Sequence, residues 1–198
     1  MSNKEKFVKL YQENIHREGS EQFLRWLQTT DFFSAPASAD GHLAVPGGLV
    51  KHSLNMFDVL TRMAKDWKRY ESGVGELSAQ EKENIAVIGL LHAVGNVNTF
   101  YESWEFRPGI YERSNYRMKY DIEECCPYPQ GERSVLVITQ FMELDKSELP
   151  AIRYHMGFKN RGADEVHCME MAFIQKHLTL LTHMAYLETI YTFDKDEN

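Results

Sequence analysis

The stretch Ile88-Gly-Leu-Leu-His-Ala-Val-Gly-Asn-Val-Asn-Thr-Phe-Tyr101 constrains this chain more than any other. It begins as the apolar end of a helix, in which Ile85, Ile88 and His92 fall near one face through spacings of three and four. It stops at His92, Gly95 and Asn96. A polar edge at the inner end of an apolar run either serves a site or costs stability, since burying an unpaired polar group costs roughly 1–3 kcal/mol.

The flanking segments carry helical spacing too. Residues 4–15 place Phe7, Val8, Leu10 and Tyr11 on one face, and Ser20 is expected to cap a second helix with Phe23, Leu24, Trp26 and Leu27 inward. A loop rich in Pro, Gly and small residues spans 31–48, long enough to imply a task of its own. After Gly47-Gly48 a long helix carries Leu49, Leu54, Phe57, Leu60, Ala64 and Trp67 inward as far as Gly73 and Gly75. Ser78-Ala-Gln-Glu81 reads as a capping box for the helix that ends at His92.

Another helix is expected over 132–144, with Val135, Leu136, Ile138 and Phe141 inward. One more runs from Ser147 as its cap to His155 and Met156, where Gly157 stops it, and a last one covers 165–191. Across 104–126 the helical period disappears. Tyr111, Tyr116 and Tyr120 alternate with charge there and Pro108-Gly109 supplies a turn, so a short β-hairpin or irregular arm is expected. The fold class is therefore mostly α, one domain over 1–193 followed by a solvated tail at 194–198.

Composition narrows the function. A hydrophobic share of 43% with 12% aromatic residues can fill a core, which excludes wholesale disorder. The net charge of −7 argues against a dedicated nucleic-acid surface but leaves room for a local basic pocket. No apolar run approaches the roughly 18 residues of a membrane span. The first residues lack the basic-then-apolar order of a secretory signal. Cys125, Cys126 and Cys168 make neither a disulfide framework nor a Cys-x-x-Cys knuckle, so a cytoplasmic location is expected.

Eight histidines occur. His16, His167 and His177 sit in polar company and are expected in solvent, while His183 reads as a satisfied core residue. The other four stand beside backbone breaks: His42 in the long loop, His52 after Gly-Gly, His92 before Gly95 and His155 before Gly157. Singly, each is more often structural than functional. Together they point to one cavity lined from element ends.

Phe32-Phe-Ser-Ala-Pro-Ala-Ser, then His42, then Gly47-Gly-Leu-Val-Lys-His-Ser-Leu-Asn55 resembles a bacterial and phage subgroup of the HD-domain phosphohydrolase superfamily. Leu90-Leu-His92, Pro127-x-x-Gln-Gly-Glu132, Ala151-Ile-Arg-Tyr-His-Met-Gly157 and His183-Met-Ala-Tyr186 follow that subgroup's later motifs in order, over about residues 30–192. The resemblance implies an HD-type helical bundle. It also implies a divalent metal (Zn, Mn, Fe or Ni) at the positions of His52, His92, Ala93 and Tyr186, with Gln130 and His155 on a second ion. Ala93, Gln130 and Tyr186 replace expected ligands, and Asn96 replaces a lysine that could meet phosphate.

Catalysis by such a metal lowers the pKa of a bound water from 15.7 to about 7 and requires a firmly held ion. Alanine offers no lone pair, and a phenol with pKa near 10 stays protonated. The expectation is therefore a pseudoenzyme without a metal cofactor, acting as a sensor or sequestering protein. It would bind a nucleotide or other phosphate-containing ligand in a pocket of His42, Lys51, His52, His92, Asn96, Gln130, Arg153, His155 and Tyr186. An active metal-dependent phosphohydrolase (phosphatase or phosphodiesterase) built on His52, His92 and His155 is the alternative. A protein-interaction scaffold using the arm at 104–120 is the third reading.

Overall fold

Two helices, α3 (Gly48–Ser72) and α4 (Ala79–Leu91), cross at the centre of the helical packing. The computed structural model describes residues 1–106, 116–123, 127–158 and 162–195, which hold eight α-helices and one antiparallel hairpin. Every residue of α4 from Ile85 to Leu91 is buried, as an all-round apolar helix must be. Gly89 permits the close crossing with α3, because a Cβ there would stand 2.7 Å from the Cα of Phe57. The expected capping box opens α4: Ser78 Oγ accepts from Glu81 N–H at 3.2 Å, and Ser78 N–H donates to Glu81 Oε2 at 2.8 Å.

α1 (Asn3–Asn14) lays Phe7 and Tyr11 against this centre, and α2 (Ser20–Leu27) adds Phe23, Leu24 and Leu27. Ser20 is not a cap. It lies inside α2, and Gly19 precedes it at φ 83°, so close to the carbonyl of Phe141 that a Cβ would collide with it.

The second half departs further from local expectation. α5 (Gln130–Ile138) is shorter than 132–144, because the chain turns after Ile138 to set Phe141 against Phe23 and Trp26, each at 5.3 Å. Leu136 is left exposed on the outer face. α6 (Glu148–Tyr154) is capped by Asp145 rather than Ser147: its carboxylate accepts from Ser147 N–H at 2.6 Å and Glu148 N–H at 2.8 Å.

The expected last helix is two, α7 (Ala163–Gln175) and α8 (His177–Glu188), with Lys176 extended between them. That break brings α8 along α3, where His177 stacks on Trp67 at 3.7 Å. His177 is consequently half-buried rather than solvated, and Trp67 is a surface platform rather than a core residue. His16 and His167 are exposed as expected, and His183 is half-buried with its Nδ1 2.8 Å from the carbonyl of His155.

The arm is a hairpin of β1 (Phe100–Phe106) and β2 (Tyr116–Ile122), in register from Phe100 opposite Ile122 to Phe106 opposite Tyr116. It starts within the stretch that ends α4. The expected turn at Pro108-Gly109, Tyr111, Cys125 and Cys126 lie outside the described residues. No described helix is long and apolar enough to cross a membrane.

The chain continues from α8 through a π-helical turn, Thr189–Phe193, that carries Asp194 back into the protein. Asp194 is fully buried, not part of a solvated tail, because two side chains of α3 bind its carboxylate. Residues 196–198 lie outside the described residues.

Candidate functional site: a buried histidine cluster behind a cleft

His92 and His155 occupy the C-caps of α4 and α6. Carbonyls in a last helical turn lack intrahelical partners. Each ring accordingly turns its Nδ1 back to the carbonyl three residues earlier: His92 to Gly89 at 3.0 Å and His155 to Ile152 at 2.7 Å. His52 comes from the second turn of α3, and its Nδ1 lies 2.5 Å from Asp194 Oδ2. Asn55, on the same face of α3, donates to Asp194 Oδ1 at 2.8 Å. All three histidines are buried, and their rings form a row, His52 to His92 at 4.8 Å and His92 to His155 at 4.9 Å.

The hydrogen bonds assign tautomers. A carbonyl only accepts, so His92 Nδ1 carries a proton. Burial, then the neighbouring His52 and His155, hold the His92 pKa well below its ordinary value, and the ring is neutral with Nε2 as an acceptor. His52 Nε2 stands 2.9 Å from that nitrogen and is therefore the donor.

In front of the row lies a cleft of about 670 Å³. Its walls include His42 from the long loop, Asn96 from the 3-10 turn Val94–Asn96, Gln130 and Arg133 from the first turn of α5, and Tyr186 from α8. His42 stands 5.0 Å from His52 ring to ring, and Tyr186 is 5.0 Å from His155 and 5.9 Å from His52. These two residues are shared between the cleft and the buried row.

The pocket expected from sequence thus divides. His42, Asn96, Gln130 and Tyr186 line the cleft, while His52, His92 and His155 lie behind it. Lys51 is half-exposed on α3, and Arg153 pairs with Glu132 at 2.8 Å over the ring of Tyr154; neither lines the cleft.

Two residues escaped sequence reasoning. Arg133 Nη2 donates to Asn96 Oδ1 at 3.3 Å and Nη1 to Thr99 Oγ1 at 3.4 Å, and no acid pairs with it among the described residues. Its spacing of three from Gln130 was the available signal. Asp194 follows Tyr186 by eight residues, and only the π-helical turn returns it to His52.

The ligand set implied by the resemblance does not fit these residues. Ala93 brings no donor atom. Burial, then the neighbouring Asp194, pushes the Tyr186 phenol up to about 12, so it stays neutral. A different group is compact: His42, His52 and Asp194 each bring a ligand atom, and these atoms all lie within 4.8 Å of one another. No family model, curated protein or solved structure matches the chain.

Proposed function

We propose that this protein is an HD-type domain of the cytoplasm that binds a small phosphate-containing ligand, such as a nucleotide, without the family's metal-dependent hydrolysis. The observation that carries the reading is Arg133. Its guanidinium borders the cleft and spends its hydrogen bonds on neutral oxygens at 3.3 and 3.4 Å. A planar fork of five donors with no acidic partner among the described residues is suited to phosphate oxygens. Gln130 and Arg133 also stand in the first turn of α5, the positive end of its dipole. Asp40 is the acidic side chain on the cleft wall and favours the sugar and base end of a ligand over its phosphate.

Thermal denaturation with nucleoside mono-, di- and triphosphates and with inorganic phosphate tests this. A ligand present at 100 times its Kd stabilises by about 2.7 kcal/mol. Stabilisation that rises with concentration in the wild type and vanishes in Arg133→Gln supports the reading. No rise with any of these compounds at millimolar concentration defeats it. One observation favours a working phosphohydrolase instead: Asp194 returns a carboxylate to His52. Turnover of phosphomonoesters or phosphodiesters by the purified protein would select that second reading.

A further inference from the structure

We propose that His42, His52 and Asp194 hold one divalent transition-metal ion at the inner wall of the cleft. The set differs from the positions implied by the resemblance. It takes one imidazole from the long loop, one from α3 and a carboxylate from the turn after α8.

Hydrogen-bond directions carry the first half of the argument. His92 Nδ1 gives its proton to Gly89, so its Nε2 accepts from His52 Nε2 at 2.9 Å. His52 Nδ1 faces the carboxylate oxygen of Asp194 at 2.5 Å. A ring nitrogen and a carboxylate oxygen so close require a proton or a metal ion between or beside them. Asp194 is fully buried, and its only ion-pair partner among the described residues is His52. A carboxylate removed from water without a compensating charge is strongly disfavoured.

His42 decides between a proton and a metal. A shared proton satisfies two atoms, whereas here a third donor joins them with all ligand atoms within 4.8 Å. Two imidazoles and one carboxylate suit zinc or ferrous iron and leave positions open. Donors at about 2.0–2.1 Å and a tetrahedral angle stand about 3.3 Å apart, so binding opens the Nδ1 to Oδ2 distance by about 0.8 Å. The outer contacts of a metal site are already in place: Asn55 holds Asp194 Oδ1 at 2.8 Å, and His92 accepts the Nε2–H of His52. His42 lines the cleft, so the ion faces bound ligand and adds positive charge where Arg133 already stands.

The test uses the full chain, stripped with a chelator and titrated with Zn²⁺ by calorimetry and with Co²⁺ by visible absorption. One ion per chain is expected, with a melting temperature that rises with Zn²⁺. His42 is a half-exposed loop residue, so His42→Ala should keep the metal-free melting temperature and lose more than about 100-fold in affinity. Asn55→Ala should lose roughly 10–100-fold. Absence of binding by the wild type overturns the proposal. So does a His42→Ala protein that binds like the wild type, and loss in His155→Gln alone would move the ion to the buried histidine row. Arg133→Gln should take up metal normally, which separates this site from the phosphate reading.

Discussion

Gly95→Ala tests whether the cleft depends on one close contact between the 3-10 turn and α5. A Cβ at Gly95 would stand 2.7 Å from the Gln130 carbonyl oxygen, 2.7 Å from Ser134 N and 2.8 Å from Arg133 Cβ. Two of those atoms are backbone, so relief requires the elements to separate. The same approach supports the hydrogen bond from Gly95 N–H to Ser134 Oγ at 2.9 Å. Overpacking costs about 1–3 kcal/mol, and weakening a buried hydrogen bond adds about 1 kcal/mol. The sum is about 2–4 kcal/mol.

For a chain of this length each kcal/mol moves Tm by about 2–4 °C, so a fall of roughly 4–16 °C is expected. Calorimetry and urea denaturation read it directly. Gly162→Ala is the control, since no atom of the described residues lies within 4 Å of a Cβ there. Gly162 is the N-cap of α7, where alanine is the poorer residue, so the control should cost no more than about 1 kcal/mol. Asn96 and Arg133 sit on the two sides of this contact, so ligand stabilisation should fall with it. A Gly95→Ala protein melting like the Gly162→Ala control would refute the reasoning.

Two further predictions concern charge. Glu148 is fully buried and takes both guanidinium nitrogens of Arg17 at 2.7 Å, so Arg17→Met strands a carboxylate and should cost about 3–5 kcal/mol in urea denaturation. Arg17→Met with Glu148→Leu should recover much of that. The Lys68 hydrogen bond, then the Ser78 backbone N–H, lowers the Glu81 pKa to about 2, below its ordinary 4.5. A depressed carboxylate stabilises above the unfolded value and loses that contribution as pH falls from 4.5 towards 2. Both partners are about a third exposed, so the stability gap between wild type and Glu81→Gln should be under about 1 kcal/mol at neutral pH. It should close near pH 2, and a gap that widens on acidification contradicts the assignment.

Ser78 and Glu81 show why much of the fold was legible. A capping box, like an apolar face, is decided by neighbours three and four residues away, and those patterns lie open in the sequence. The same locality explains the misplaced boundaries. Nothing near Lys176 announces a break, because the break follows from how α8 meets α3 and Trp67 stacks on His177. Asp145 displaced Ser147 as a cap because two residues so close compete for the same N–H groups.

For the site, the sequence alone determined that His42, His52, His92 and His155 stand beside backbone breaks, and that Ala93 brings no lone pair and Tyr186 only a phenol where the resemblance implies carboxylates. Only the tertiary structure divided those histidines between a cleft and a buried row. It alone placed Arg133 beside Asn96 and brought Asp194 to His52 across 142 residues of chain. A side chain's type limits what it can donate or accept, but its partner is chosen by packing, and packing across such a separation leaves no periodic trace.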